Sequence, residues 1–252
     1  AVIALAGAIS AGVLAGTQSL VLAVGVALFM GALFGAVNGG LVAYPKLPPF
    51  IVTLATMALA RGLTLVYTGG RPILVDHRAY EFIGAGFLGP IPFPVVIMAV
   101  LYVVLHIILK HHKFGRLVYS IGGNEEACRL SGINVERIKV GIYTLSGLMA
   151  GLTGVVLTSR LISAQPTAGT GYELDAIAAV ILGGTSLAGG QGHIGGTIIG
   201  AFIIGVLSNG LNLLNVSPFY QDVAKGIVIL TAVLLDRLLY ATGGVQKGVV
   251  SS

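Results

Sequence analysis

Residues 20–44 read LVLAVGVALFMGALFGAVNGGLVAY, twenty-five positions without an Asp, Glu, Lys, Arg or His. Coiled as an α-helix at about 1.5 Å per residue, this stretch is roughly 38 Å long, enough for a hydrocarbon core of about 30 Å. A helix on the surface of a soluble protein keeps a polar face, and this one has none. Seven more apolar runs accompany it, at 1–15, 50–67, 94–109, 138–159, 174–187, 194–214 and 224–239. Breakers separate them, among them Pro45-Lys46-Leu47-Pro48-Pro49, a Gly/Pro-rich loop over 68–93 and Gly189-Gly190-Gln191-Gly192. In lipid each backbone N–H and C=O has to be satisfied within the protein, and helices do this economically. The expected fold is an all-α, polytopic transmembrane helix bundle with about eight crossings, one membrane domain over 1–240. A polar Gly-rich tail follows at 241–252.

The composition agrees. Of 252 residues, 56% are hydrophobic and 9% charged, whereas soluble domains average about 25% charged residues. Nine acids and fourteen bases are too few to cover a water-soluble body of this size. The net charge of +5 raises the possibility of a nucleic-acid partner. Yet the basic residues gather in turns beside apolar runs, with no basic stripe interleaved with exposed aromatics, so no nucleic-acid partner is expected. Cys128 is the single cysteine, which excludes an intramolecular disulfide and a thiolate metal cluster. The chain opens at Ala1 inside an apolar run and without Met, so some sequence upstream is expected to be missing.

Lys and Arg set the expected orientation. Lys110, Lys113, Arg116, Arg129, Arg137 and Lys139 crowd the connector at 110–139, which is therefore assigned to the cytoplasm. Alternation brings Lys46, Arg237 and Lys247 to the same side and leaves Arg71, Arg78, Arg160 and Lys225 outside, nine against four. Both ends of the chain are expected to be cytoplasmic. The segment GALFGAVNG at 31–39 recurs, with an insertion, as GAFIIGVLSNG at 200–210. A Pro-Phe turn follows each copy, at Pro49-Phe50 and Pro218-Phe219. The two copies would run in opposite directions through the bilayer, an inverted repeat of the kind used by alternating-access transporters.

Chemistry-bearing motifs are sparse. The chain has no phosphate-binding G-x-x-x-x-G-K-[ST] loop, no G-x-S-x-G elbow, no H-E-x-x-H pair and no EF-hand spacing. Without a nucleophile–base pair or metal set at depth, an intramembrane enzyme is not expected. His106, His111 and His112 read as interfacial residues beside a basic loop rather than a metal site. Arg61 stands about 9 Å from the outer end of its run, where it can snorkel, pair, or touch a solute path. Asp222 and Lys225 have the spacing of a local helical pair. Thr170-Gly171-Tyr172-Glu173 reads as a capping box, with Glu173 and Asp175 in the favourable first turn. Asn38 and Asn209 lie on glycine-rich faces, where interhelical hydrogen bonds are expected. Asn38, Arg61, Asn209, Glu173 and Asp175 are the candidates for a translocation path or gate.

The centre of the connector, residues 124–134, combines helix formers with a Gly stop and predicts a short helix at the membrane surface. Within it, EACRLSG at 126–132 resembles the E-A-A-x-x-x-G signature of ABC importer permeases, with Cys128 in place of the second Ala. Longer stretches, GGNE at 122–125 onward to Asn134, SAQPTAGTGYELDAIAAV at 163–180 and LGGTSLAGG at 182–190, are similar to the ribose-type monosaccharide permeases. The likeness runs over the chain to about Arg237, and family members carry about two further spans at the start, about ten in all. It implies a permease fold paired with a second permease copy, as a homodimer or heterodimer, within the bacterial cytoplasmic (inner) membrane. It further implies cytoplasmic ABC ATPase subunits that hold ATP and Mg, and a periplasmic or extracellular sugar-binding protein. This chain itself carries no cofactor. Coupling to the ATPase falls on Glu126, Ala127, Cys128, Gly132 and Ile133. The rival function is an ion-coupled secondary sugar carrier or channel, which needs no ATPase.

Overall fold

The computed structural model describes residues 1–243; most of the expected 241–252 tail, with Lys247, lies outside them. Each of the eight apolar runs contains a helix, although the run at 174–187 is helical only to Leu182, and the chain divides into two compact units.

The first unit takes in Ala1–Val104 and Glu126–Thr170. It holds α1 (Val2–Thr17), α2 (Leu20–Ala43), α3 (Pro49–Thr68), α4 (Arg78–Ala85) and α8 (Val135–Leu161). Local chemistry sets the helix ends. Ser19 Oγ accepts from Leu22 N–H at 3.5 Å to open α2, and Pro49 supplies a pre-set φ in the first turn of α3. Asn134 Oδ1 accepts from Arg137 N–H at 3.0 Å to start α8.

Small residues decide which helices meet. Ala27, Gly31, Gly35 and Gly39 recur every fourth position of α2, all buried, and lie along α8 from Gly151 and Gly147 down to Val140. The backbones approach so closely that a Cβ at Gly35 would lie 2.8 Å from Thr144 Cα, and one at Gly39 would lie 2.7 Å from Val140 Cα. In lipid, where apolar burial does not drive helices together, such close contact is a main source of association. α1 joins the pair through Ala4, Ala6, Gly7, Ala8 and Ala11, with Gly154 of α8 placed so that a Cβ would meet Gly7 N at 3.0 Å.

The second unit takes in Leu105–Glu125 and the described part of Gly171–Ser252. It holds the end of α5 (Phe93–His111), α6 (Lys113–Gly123), α9 (Tyr172–Leu182), α10 (Ile194–Leu213) and α11 (Pro218–Gly243). α9 and α10 meet by the same device as α2 and α8. A Cβ at Gly200 would lie 2.8 Å from the carbonyl carbon of Ala179, and one at Gly183 would lie 2.5 Å from Gly196 C. The two copies of the glycine motif therefore match in part. Gly31 and Gly200 both make a close helix contact, whereas Gly35 is packed and Gly205 has no atom near its Cβ position.

Among the described residues, five helices, α2, α3, α5, α8 and α10, are long and apolar enough to cross a bilayer. The remaining expected crossings differ. α1 has 16 residues, α9 only 11, and α11 has 26. At about 1.5 Å per residue α9 is roughly 16 Å long, half a hydrocarbon core. It stops at Gly183, whose carbonyl crowds Gly196. The expected loop at 68–93 also contains structure: α4, a β1 (Ile73–Leu74) strand paired antiparallel with β4 (Ser163–Ala164), and a β2–β3 hairpin (Phe87–Leu88, Ile91–Pro92).

Candidate functional site

The connector helix forms as expected. α7 (Glu125–Leu130) is a single six-residue segment. Its end is a Schellman motif: Ile133 N–H donates to Cys128 O at 3.1 Å and Gly132 N–H to Arg129 O at 3.0 Å. The motif puts Gly132 at φ 78, in the left-handed region that glycine enters without steric cost. The signature glycine is thus the residue that ends the helix. Glu126, Ala127 and Leu130 are exposed, Leu130 to 82%, while Ile133 is half-buried. Cys128, the one position that departs from the resemblance, is turned inward and buried at 7% exposure. Its exchange for alanine therefore lies off the exposed face.

An ion pair ties α7 to the helix that follows. Arg129 Nη2 lies 3.0 Å from Glu136 Oε1 in the first turn of α8, and both side chains are about two-thirds covered. α8 in turn carries the glycine contacts to α2 and α1. A displacement of α7 has a short, stiff route into three packed helices.

The expected path residues are not assembled into one polar cluster within either unit. In the first unit, Arg61 Nη2 donates to the neutral hydroxyl Thr170 Oγ1 at 3.2 Å. Asn38 Oδ1 is buried on α2 and has no hydrogen-bond partner among the described residues. In the second unit, Asn209 and Glu173 are exposed. Asp175 accepts from Lys225 Nζ at 3.0 Å, so Lys225 bonds across 50 residues rather than to its helical neighbour Asp222, as the spacing had indicated. The capping box does not form either. Gly171, at φ 84, caps α9 without any side-chain bond, and the Thr170 hydroxyl donates instead to Thr167 O at 2.8 Å.

No group of three His, Cys, Asp or Glu side chains sits together for a metal among the described residues. His112 Nδ1 accepts from Phe114 N–H at 3.2 Å and caps α6. His106 lines a cavity with Lys110, Arg116, Tyr119 and His193.

A buried polar cluster that sequence inspection missed sits in the first unit, around Tyr80 of α4. Tyr80 is fully buried and its hydroxyl shares a hydrogen bond of 3.1 Å with Ser10 Oγ. Ser159 Oγ donates to Tyr80 O at 2.5 Å and accepts from Gly84 N–H at 2.6 Å. Burial pushes the Tyr80 phenol above its ordinary pKa, with the Ser10 and Thr158 hydroxyls pulling the other way. The result pins α4 to α1 and α8. Its sequence signal was weak, because a lone Tyr in a Gly/Pro-rich loop looks like any surface aromatic.

The family described as branched-chain amino acid transport system / permease component matches residues 1–233. The ribose import permease protein of Bacillus subtilis (strain 168) is 55% identical over 94% of this chain and 74% of its own length. The ribose import permease protein of Escherichia coli (strain K12) is 51% identical over 93% of this chain and 74% of its own. The L-arabinose transport system permease protein of the same organism is 40% identical over 94% and 72%. No solved structure matches.

Proposed function

Because the chain belongs to the family of branched-chain amino acid transport system permease components, we propose that it is the membrane-spanning subunit of an ATP-driven monosaccharide importer of the ribose type. The likeness to ribose import permeases over nearly the whole chain carries this proposal, and it exceeds the likeness to the arabinose permease. A transport permease is a conduit rather than an enzyme, and the hydrolysis of ATP falls to separate ABC ATPase subunits. A binding protein outside the cell delivers the sugar, and a second permease copy completes the path. The bacterial cytoplasmic membrane holds the assembly, with the connector at 110–139 and both chain ends facing the cytoplasm. The two compact units work as one permease domain.

In this reading α7 is the coupling helix. Glu126, Ala127 and Leu130 meet the ATPase, while Cys128 packs inward and Gly132 and Ile133 form the helix stop. Closure of the ATPase pair pushes α7, and the Arg129–Glu136 pair passes the displacement to α8. The glycine contacts then carry α2 and α1 with it as a body. Asn38, Arg61, Asn209, Glu173 and Asp175 are the residues to test along the sugar path. The lack of a tight polar cluster suits a conduit whose selectivity resides in the binding protein.

The decisive experiment is co-reconstitution with the ATPase and binding protein, followed by assays of sugar uptake and of binding-protein-stimulated ATP hydrolysis. Glu126→Ala and Gly132→Ala are expected to lower both while the permease still inserts. Unchanged coupling in both variants removes α7 from the mechanism. Uptake by the permease alone in proteoliposomes, abolished by collapsing an ion gradient, overturns the ATP-driven assignment. For orientation, a lone cysteine at Ser131 in a Cys128→Ala background should react with a maleimide only after the cytoplasmic face is opened.

A further inference from the structure

Within the second unit, the end of α5, the middle of α6 and the start of α10 line an open-mouthed cavity of about 270 Å³. Its lining is lopsided in charge. Lys110 and Arg116 bring two permanent cations, His106 and His193 two imidazoles, and no carboxylate takes part. Leu109 and Ile194 supply the apolar wall.

The donors are held ready. Arg116 uses Nη1 to donate to His111 O at 3.3 Å, closing the end of α5, which leaves most of its five N–H groups for a ligand. Lys110 makes no hydrogen bond among the described residues. His193 Nδ1 accepts from Gly196 N–H at 2.7 Å, so the neutral ring carries its proton on Nε2 and presents a donor. His193 also caps α10, whose 20 residues point the positive end of their dipole toward this opening. The walls are braced as well. Tyr119 Oη donates to Gly192 O at 2.7 Å, and a Cβ at Gly122 would come within 2.6 Å of Gly190 N. Cations without counter-ions at a fixed cavity, beside a helix start, make a receptor for a tetrahedral oxyanion.

Its position selects the source of that anion. α5 and α10 both qualify as membrane spans, and the cavity lies at the terminus of each, the depth of lipid headgroups. α5 has no buried residue, and Val103, Val104 and Ile107 just before the cavity are exposed for acyl chains to cover. We infer that this cavity binds the phosphate of an anionic phospholipid headgroup, with Lys110, Arg116 and His193 as donors. The inference rests on the membrane-spanning part of the proposed function, but not on which face is cytoplasmic or on the ATPase.

The test uses the full chain in nanodiscs of phosphatidylcholine, with or without phosphatidylglycerol. Retained lipid is counted by native mass spectrometry, and melting is followed through the buried Cys128 thiol. Phosphatidylglycerol should be retained and should raise the melting temperature. Lys110→Gln should weaken that retention roughly tenfold, as expected for one charge-assisted contact. Lys113→Gln, which removes an equal charge from the same connector outside the cavity, should not. Arg116→Gln should act like Lys110→Gln, although it also loses the bond to His111. Equal losses for Lys110→Gln and Lys113→Gln would reduce the effect to diffuse surface charge and overturn the site. So would failure to retain phosphatidylglycerol. Stabilisation by inorganic phosphate in phosphatidylcholine alone would overturn the lipid source and leave a soluble phosphate in its place. Loss of lipid retention with sugar uptake intact separates this inference from the transport function.

Discussion

Lys225 Nζ lies 3.0 Å from both carboxylate oxygens of Asp175, joining α11 to α9 by a two-pronged ion pair. The two side chains are only 20% and 27% exposed. Removing one partner would strand the other charge in a poorly solvated place, which costs more than the intact pair contributes.

Asp175→Asn and Lys225→Gln are therefore each expected to destabilise the protein by about 1–3 kcal/mol, below the range of about 3–5 kcal/mol for fully buried pairs because some solvent reaches this one. A charge-reversed double variant, Asp175→Lys with Lys225→Asp, should recover part of the loss. Asp222→Asn should leave stability nearly unchanged. Melting curves in detergent, read from exposure of the Cys128 thiol, distinguish the four variants. Equal effects at Asp175 and Asp222 would contradict the assigned pairing.

At the α2–α8 contact, Gly35→Ala should cost roughly 1–3 kcal/mol or more, because the added methyl meets backbone at Thr144 that cannot turn aside. Gly40→Ala, on the same helix with nothing within 4 Å of its Cβ position, should be neutral or stabilise by up to about 1 kcal/mol through helix propensity. A similar loss at both positions would mean that the close contact does not hold the helices together.

Gly132→Ala forces a left-handed backbone at φ 78 on a residue with a Cβ, at a cost of about 1–2 kcal/mol in the last turn of α7. Gly132→Asn should be milder, since Asn tolerates this conformation. Cys128→Ala, inward and away from the exposed face, should leave ATPase coupling unchanged. The order of coupling efficiency expected in transport assays is wild type and Cys128→Ala first, then Gly132→Asn, then Gly132→Ala.

Ser159→Ala leaves the buried Gly84 N–H without its acceptor, and should lower stability by about 1–3 kcal/mol. Tyr80→Phe loses the bond to Ser10 and should cost less. The Tyr80 phenol, raised above its ordinary value of 10.0, contributes stability that is complete below that value. As pH rises beyond it, the unfolded chain ionises first and the contribution fades. The advantage of wild type over Tyr80→Phe should thus shrink as pH rises above 10.0. A gap that widens with pH would reverse the sign and refute the assigned burial effect.

Much of this protein was written in local patterns. Apolar runs located the long helices because a backbone in lipid must satisfy its own hydrogen bonds within each segment. The Asn134 cap starts α8 ahead of the apolar run that begins at Ile138, whereas the turn at Gly132 was equally legible, since it depends on residues within a few positions of each other. Contacts over long separations were not. Lys225 passed over Asp222, three residues away, for Asp175, 50 residues away. Tyr80 and its partners are 70 and 79 residues apart, and no spacing rule connects them. α9 ends at half a membrane thickness in a Schellman turn, with Thr185 N–H on Val180 O at 3.1 Å and Gly184 at φ 79, a local stop masked by the apolar run that continues to Leu187. Cations around the α5–α10 cavity looked like ordinary interfacial charges until the fold gathered them. Segment-by-segment solvation is a property of neighbours along the chain, whereas charge pairing and close backbone approach depend on which helices the small residues bring together.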